Sequence, residues 1–252
     1  MPFERLVFES TEGQRLAARL DLPDDRQPRA YALFAHCFTC NKNFKAIANI
    51  SRAMTERGVA VFRFDFTGLG ESEGDFANTN FSSNVADLVA AAEFLAAHHA
   101  PPRLLVGHSL GGAAVLKAAQ RLPSVTAVVT LAAPAETDHL AHLLRSSADE
   151  IESRGQAQVE IGGRTFTIKK QLLEDLARPH MEEAIRSLDR SLLVIHATGD
   201  DTVPLADAEH IFETARHPKA FASLEGADHL LSASDDSTYV GALIVAWAER
   251  YL

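Results

Sequence analysis

Two rhythms of apolar and polar positions alternate along the chain. Nearly continuous apolar runs at 30–37 (AYALFAHC), 59–66 (VAVFRFDF), 103–108 (RLLVGH), 125–134 (VTAVVTLAAP), 191–198 (SLLVIHAT) and 219–226 (KAFASLEG) read as strands, most of them covered on both faces. Ahead of them, RLVFES (5–10) and RLAARLDLP (15–23) flank Glu12-Gly13 and predict a hairpin. Helical patterns fill the gaps. The stretch 44–58 closes on Gly58, and 82–99 begins with serine caps and ends before Pro101-Pro102; further patterns cover 110–122, 204–215 and 239–252. A hairpin followed by strand-helix alternation predicts an α/β fold, a mostly parallel sheet with helices on both faces.

Residues 135–190 break the alternation. A charged helical stretch precedes QVEIGGRTFTIKK (158–170), where two short β-like runs meet at Gly162-Gly163, and LLEDLARPHMEEAIRSL (172–188) then resumes the helical pattern. The expected organisation is a core formed by 1–134 and 191–252, with 135–190 inserted as a lid over a pocket; the bland alternative is an excursion without function.

Inside the core, LLVGHSLGGAAV (104–115) surrounds one hydroxyl with glycines. A strand enters Gly107-His108-Ser109-Leu110-Gly111 and a helix leaves it, so the G-x-S-x-G spacing marks a sharp, strained turn in which residues two before and two after the serine must be small. Such a turn lifts Ser109 to the carboxyl end of the sheet and aims a helix N-terminus at whatever reacts there. A serine needs a base to take its proton, and the base needs a third group to orient it; for this turn they follow in the order Ser, acid, His. HATGDDTVP (196–204) and EGADHLLS (225–232) supply acids and His229 just past two strands, at the same sheet edge. Most of the eleven histidines precede the acids, and His210 and His217 lie in a helical pattern and before a proline, which leaves His229. Asp200 and Asp201 are not separable on this basis, and Asp228 reads as a turn residue. Negative charge developing on a carbonyl oxygen would need two backbone donors: Leu110, after the serine, and Phe38, in the loop after the strand that ends at His36. His36 reads as a support that bonds to backbone.

Composition narrows the partners. A net charge of −10 opposes nucleic acid and anionic membrane surfaces. MPFERLVFES lacks the basic and apolar regions of a leader, and no run is long enough to span a bilayer, so a cytoplasmic setting and a small-molecule partner are expected. Cys37 and Cys40 are too few for a disulfide framework; their C-x-x-C spacing could suggest redox chemistry or half a zinc site, but no second pair completes a metal site and nothing marks a thioredoxin-like unit, so neither redox use nor a metal or cofactor is expected. GLGESEG (68–74) follows a strand, but its third glycine is misplaced for dinucleotide binding.

Taken together, the motifs resemble the α/β-hydrolase superfamily over essentially the whole chain. His36-Cys37-Phe38, DFTGLGES (65–72), the serine turn, ATGDDTVP (197–204) and Gly226-Ala227-Asp228-His229 stand where its members carry their oxyanion loop, post-strand turn, nucleophile, acid and histidine. The resemblance implies an eight-stranded sheet, and alignment on Val203-Pro204 selects Asp200 as the acid. Cys37, Ala197 and Thr67 depart from the common glycines and arginine. HCFTC, FDFTGLGESEGDF and NFSSNVADL are similar to a subgroup whose hydrolase domain is often fused to an OsmC-like domain; none follows here, so the chain reads as a free-standing relative or a trimmed piece. The inserted hairpin resembles the lid of esterases acting on hydroxycinnamate and other small esters.

The function expected is therefore a serine carboxylesterase with Ser109, Asp200 and His229 as catalytic groups and Phe38 and Leu110 as oxyanion donors. Leu140, Leu143, Leu144, Phe166 and Ile168 would line an apolar pocket for substrate, or merely pack the lid onto the core. Thioester, amide or carbon-carbon hydrolysis on the same residues, and a non-catalytic binding module, are the alternatives. A homodimer stays open.

Overall fold

The computed structural model describes residues 1–137, 144–161, 163–178 and 181–252, the side chain of Arg145 apart. Strands β1 (Phe3–Glu9) and β2 (Arg15–Asp21) form the antiparallel hairpin; β3 (Ala30–Ala35), β4 (Val59–Phe64), β5 (Leu104–His108), β6 (Ala127–Leu131), β9 (Ser191–Ala197) and β10 (Lys219–Leu224) run parallel to one another. The eight strands make one sheet in the order β1-β2-β4-β3-β5-β6-β9-β10. β7 (Gln156–Ile161) and β8 (Arg164–Lys169) pair separately, in the inserted segment, with Ile161 opposite Arg164.

Alternation along the buried strands builds two cores. Leu33 and Ala35 of β3, Ala60, Phe62 and Phe64 of β4 and Leu105 of β5 face one side; Ala32, Phe34, Val59, Val61, Leu104 and Val106 face the other. The first side is covered by α2 (Phe81–His98), α3 (Leu110–Ala118), the inserted segment and α7 (Leu205–Thr214), the second by α1 (Lys45–Thr55) and α8 (Ser234–Ala248). Here α4 is Arg145–Arg154, α5 Lys170–Leu176 and α6 Met181–Arg186. α8 begins five residues before the apolar pattern does, because its first turn carries Asp235 and Asp236, which suit a helix N-terminus but add nothing to the periodicity.

β3 lies between β4 and β5, so the chain leaves β3 in one direction and returns to pair its other edge. Crevices outside the carboxyl ends of strands at such a reversal are where open α/β sheets bind ligands. The register sets Ala35 opposite Gly107, which brings the loop after β3 against the turn after β5.

That loop is anchored by buried charge. Asp21 of β2 accepts from Arg63 Nε (2.7 Å), Arg19 Nε (2.6 Å) and Ser51 Oγ (2.6 Å), while Arg63 donates onward to the Lys42 carbonyl. Lys42 in turn gives its amide and its ammonium to Asp65 (2.6 Å each) and also pairs with Glu71. Burial pulls the Arg63 guanidinium below its ordinary value, opposed mainly by Asp21.

Candidate active site

Ser109 stands between β5 and α3 with φ +54°, in the left-handed region that a side chain rarely occupies. Crowding explains the flanking glycines. A Cβ on Gly107 would strike the carbonyl of Gly111, and one on Gly111 would strike the carbonyls of Ala35 and His36. The small residues therefore let α3 lie directly against the end of β3, and the Ser109 hydroxyl is left half-buried and open to approach.

The structure brings the three predicted side chains together. His229 Nε2 lies 3.1 Å from Ser109 Oγ, and His229 Nδ1 lies 2.8 Å from Asp200 Oδ2. The network assigns the proton of the neutral ring to Nδ1, donating to Asp200, so that Nε2 accepts from the serine. Asp200 Oδ1 accepts the amides of Thr202 and Val203, each at 2.9 Å. Burial pushes the Asp200 carboxyl up, but the hydrogen bond from His229 and those from the two amides outweigh it, and it is held below the ordinary carboxylate value. Asp201 is exposed and, among the described residues, takes only the Thr202 hydroxyl (3.2 Å), which separates the two acids. Asp228 accepts the Ser232 amide (2.9 Å), as a turn residue does.

The amides of Phe38 and Leu110 find no acceptor among the described residues. Directly behind them lies a cavity of about 10 Å³ lined by Phe38, Phe66, Leu69, Phe76, Leu110 and Ala114 among others, room for about one water. Leu144, Phe166 and Ile168 are buried in the adjoining core, and Phe166 reaches the cavity wall through Phe76, ring centroids 5.1 Å apart. Leu140 and Leu143 lie outside the described residues. No cluster of metal-ligating side chains occurs among the described residues.

Of the other histidines at this edge, sequence reasoning anticipated the role of His36 and missed those of His108 and His196. His36 gives Nδ1 to the Cys37 carbonyl (2.8 Å), the support expected of it. His108 holds the His229 carbonyl through Nε2 (2.8 Å), and His196 holds the Val203 carbonyl (2.9 Å), beside Asp200. Each is buried at the end of a strand and grips a different loop of the site. The available signal was a histidine ending three separate apolar runs.

Burial, with the nearby His229 second, drives His108 down to about 4 from 6.5. Its value is depressed on folding, so its contribution is complete above about 6.5 and is lost as pH falls towards 4, by on the order of 3 kcal/mol. Asp87, raised by burial to about 6 from 3.8, acts oppositely over the same range. The His108 part must therefore be read as a difference between variants. His108→Gln, which keeps a donor but no titrating group, should lose about one proton's worth of the rise in stability with pH between 4 and 6.5, so its melting temperature should climb less, or fall more, across that range than that of wild type. Equal slopes would contradict this assignment.

Fold and site are those of an α/β hydrolase. The chain belongs to the Hydrolase_4 family, described as serine aminopeptidase S33, whose pattern matches residues 26–154. The esterase domain of a Rhodothermus marinus protein is 52% identical, with a TM-score of 0.83 over 100% of this chain and 99% of that one. Est1E from Butyrivibrio proteoclasticus, solved with ferulic acid bound, superposes with a TM-score of 0.79 over 97% and 99% of the two chains at 18% identity, a likeness of fold. YfhR of Salmonella typhimurium is 28% identical over 90% of this chain and 74% of its own length. No described helix is long and apolar enough to cross a membrane.

Proposed function

We propose that this hydrolase is a serine carboxylesterase acting on small acyl or aryl esters. The observation that carries the reading is the Ser109-His229-Asp200 relay, with distances of 3.1 and 2.8 Å, set at a helix N-terminus between two amides that have no acceptor among the described residues. Ser109 attacks the ester carbonyl as His229 takes its proton. Asp200 keeps the ring oriented and offsets the charge it gains. The amides of Phe38 and Leu110 receive the oxyanion, a contribution of about 3 kcal/mol per donor in such sites. His229 then protonates the leaving alcohol, and water cleaves the acyl-enzyme by the same route in reverse. The resemblance to the Rhodothermus esterase domain supports ester chemistry.

The reading places the acyl group on the open side of Ser109, since the cavity behind the donors has room for only about one water. Residues 135–190 act in this reading as a lid, and hydroxycinnamate esters are the leading sub-class, supported by the likeness of fold to Est1E. The reading takes a cytoplasmic setting, with a small ester as the only required partner. A fluorophosphonate probe should add to the peptide containing Ser109. In a p-nitrophenyl series kcat/KM should peak between acetate and butyrate and fall tenfold or more by octanoate. Methyl ferulate, a dialkyl phthalate, a thioester and an anilide complete the panel. A faster thioester or anilide would reassign the bond class, and a folded protein inert to the probe would point to a binding module.

A further inference from the structure

The C-x-x-C pair has no place in the relay, yet it encloses one of its donors. Cys37 and Cys40 form a disulfide, with Cα atoms 5.3 Å apart, and the two residues inside the ring are Phe38 and Thr39. The Cys40 amide closes the turn onto the Cys37 carbonyl (3.1 Å), which also accepts from His36. Thr39 sits at φ +65°, an outlier for a β-branched residue and one that the surroundings must hold in place. Upstream the loop is pinned by His36, downstream by Lys42 on Asp65. Besides the bridge and the turn it closes, the segment between has an exposed hydrogen bond from Arg164 to the Thr39 carbonyl (3.3 Å) and the packing of Phe38 on Phe76.

A bridge closing so short a ring removes little freedom from the unfolded chain, so its consequence is local conformation rather than global stability. Its two ends also differ in access: Cys37 is buried, whereas Cys40 is partly exposed.

We propose that Cys37-Cys40 is a reversible thiol-disulfide site whose substrate is a dithiol reductant and whose redox state sets the position of the Phe38 amide. The second half rests on the oxyanion role given to Phe38 above. A thiolate of the reductant attacks Cys40 Sγ, and the S–S electron pair leaves on Cys37 Sγ. The reductant's second thiolate then attacks its own sulfur in the mixed disulfide and releases Cys40. The reductant ends as a cyclic disulfide, and the two protons its thiols gave up end on the two cysteines. Without the bridge Thr39 relaxes from its left-handed conformation and carries Phe38 with it.

The test equilibrates the full chain in excess oxidised or excess reduced dithiothreitol, with three readouts. After an acid quench and unfolding in denaturant, alkylation with iodoacetamide should add no groups to the oxidised protein and two to the reduced one. Hydrogen exchange in the peptide spanning 36–44 should be at least tenfold faster after reduction. On p-nitrophenyl acetate, kcat should fall tenfold or more on reduction with KM within twofold, because a donor to the oxyanion acts on the transition state. Cys37→Ser/Cys40→Ser should match the reduced enzyme and ignore dithiothreitol. Two alkylated thiols under excess oxidant, or exchange unaffected by reduction, would overturn the site. Unchanged kcat, or an effect confined to KM, would overturn its link to the donor. If neither state hydrolyses any ester, the functional reading fails, while alkylation and exchange still decide the redox site.

Discussion

Ser109→Ala is expected to lower turnover on p-nitrophenyl acetate by on the order of 10⁶, with the melting transition essentially unchanged. The hydroxyl is the atom that must bond to the acyl group, and its sole side-chain partner among the described residues is His229 at 3.1 Å, so its removal leaves no alternative nucleophile in the relay. The fold should not notice. Ser109 is half-buried, and alanine at the same φ meets the same backbone strain as serine, so the turn loses one outward-facing oxygen. Residues acting as a unit are not additive: Ser109→Ala/His229→Ala should lose no more than Ser109→Ala alone. What survives in either variant measures the amides of Phe38 and Leu110, which neither substitution touches. Steady-state rates beside circular dichroism decide the matter, and a purified, folded Ser109→Ala protein within tenfold of wild type would end the nucleophile assignment.

The largest effect on stability is expected at Asp21, far from the serine in the chain. Its carboxylate is fully buried and accepts from Arg63, Arg19 and Ser51. Asp21→Ala leaves the buried Arg63 guanidinium without its carboxylate, and stranding a buried charge costs about 3–5 kcal/mol. For a chain of this length that is a fall of roughly 10 °C in melting temperature. Because it is the stranded charge that costs, Asp21→Ala/Arg63→Met should recover a good part of the loss. Arg63 also holds the Lys42 carbonyl, so Asp21→Ala should loosen the loop that carries Phe38 and lower kcat more than KM rises. Differential scanning calorimetry of wild type and the single and double variants checks the first point; a double variant no better than the single one would refute the stranded-charge account.

Several features were legible before any coordinates. Ser109 could be found because its turn is a local steric problem: clashes between residues two apart leave glycine at fixed offsets, as the crowding at Gly107 and Gly111 shows. Strand burial was equally readable, since β4 and β5 are buried throughout and apolar on both faces but for Arg63 and the terminal His108. His229 followed from chain order. Asp200 was different: only the resemblance to a known superfamily separated it from Asp201, and the coordinates show why, one carboxylate lying 2.8 Å from the ring and the other facing solvent.

What the sequence determined by itself is whatever depends on neighbours along the chain: the serine turn, the alternation of strands and helices, and the hairpin. The tertiary structure alone decided which distant polar groups meet. The grip of His108 on a carbonyl 121 residues away, the Arg63-Asp21 pair across two strands, and the disulfide that frames Phe38 belong to it. Backbone sterics act between adjacent residues and so leave a spacing in the sequence. A buried hydrogen bond or ion pair needs only that two groups meet once the sheet has formed, and nothing near either residue records its partner.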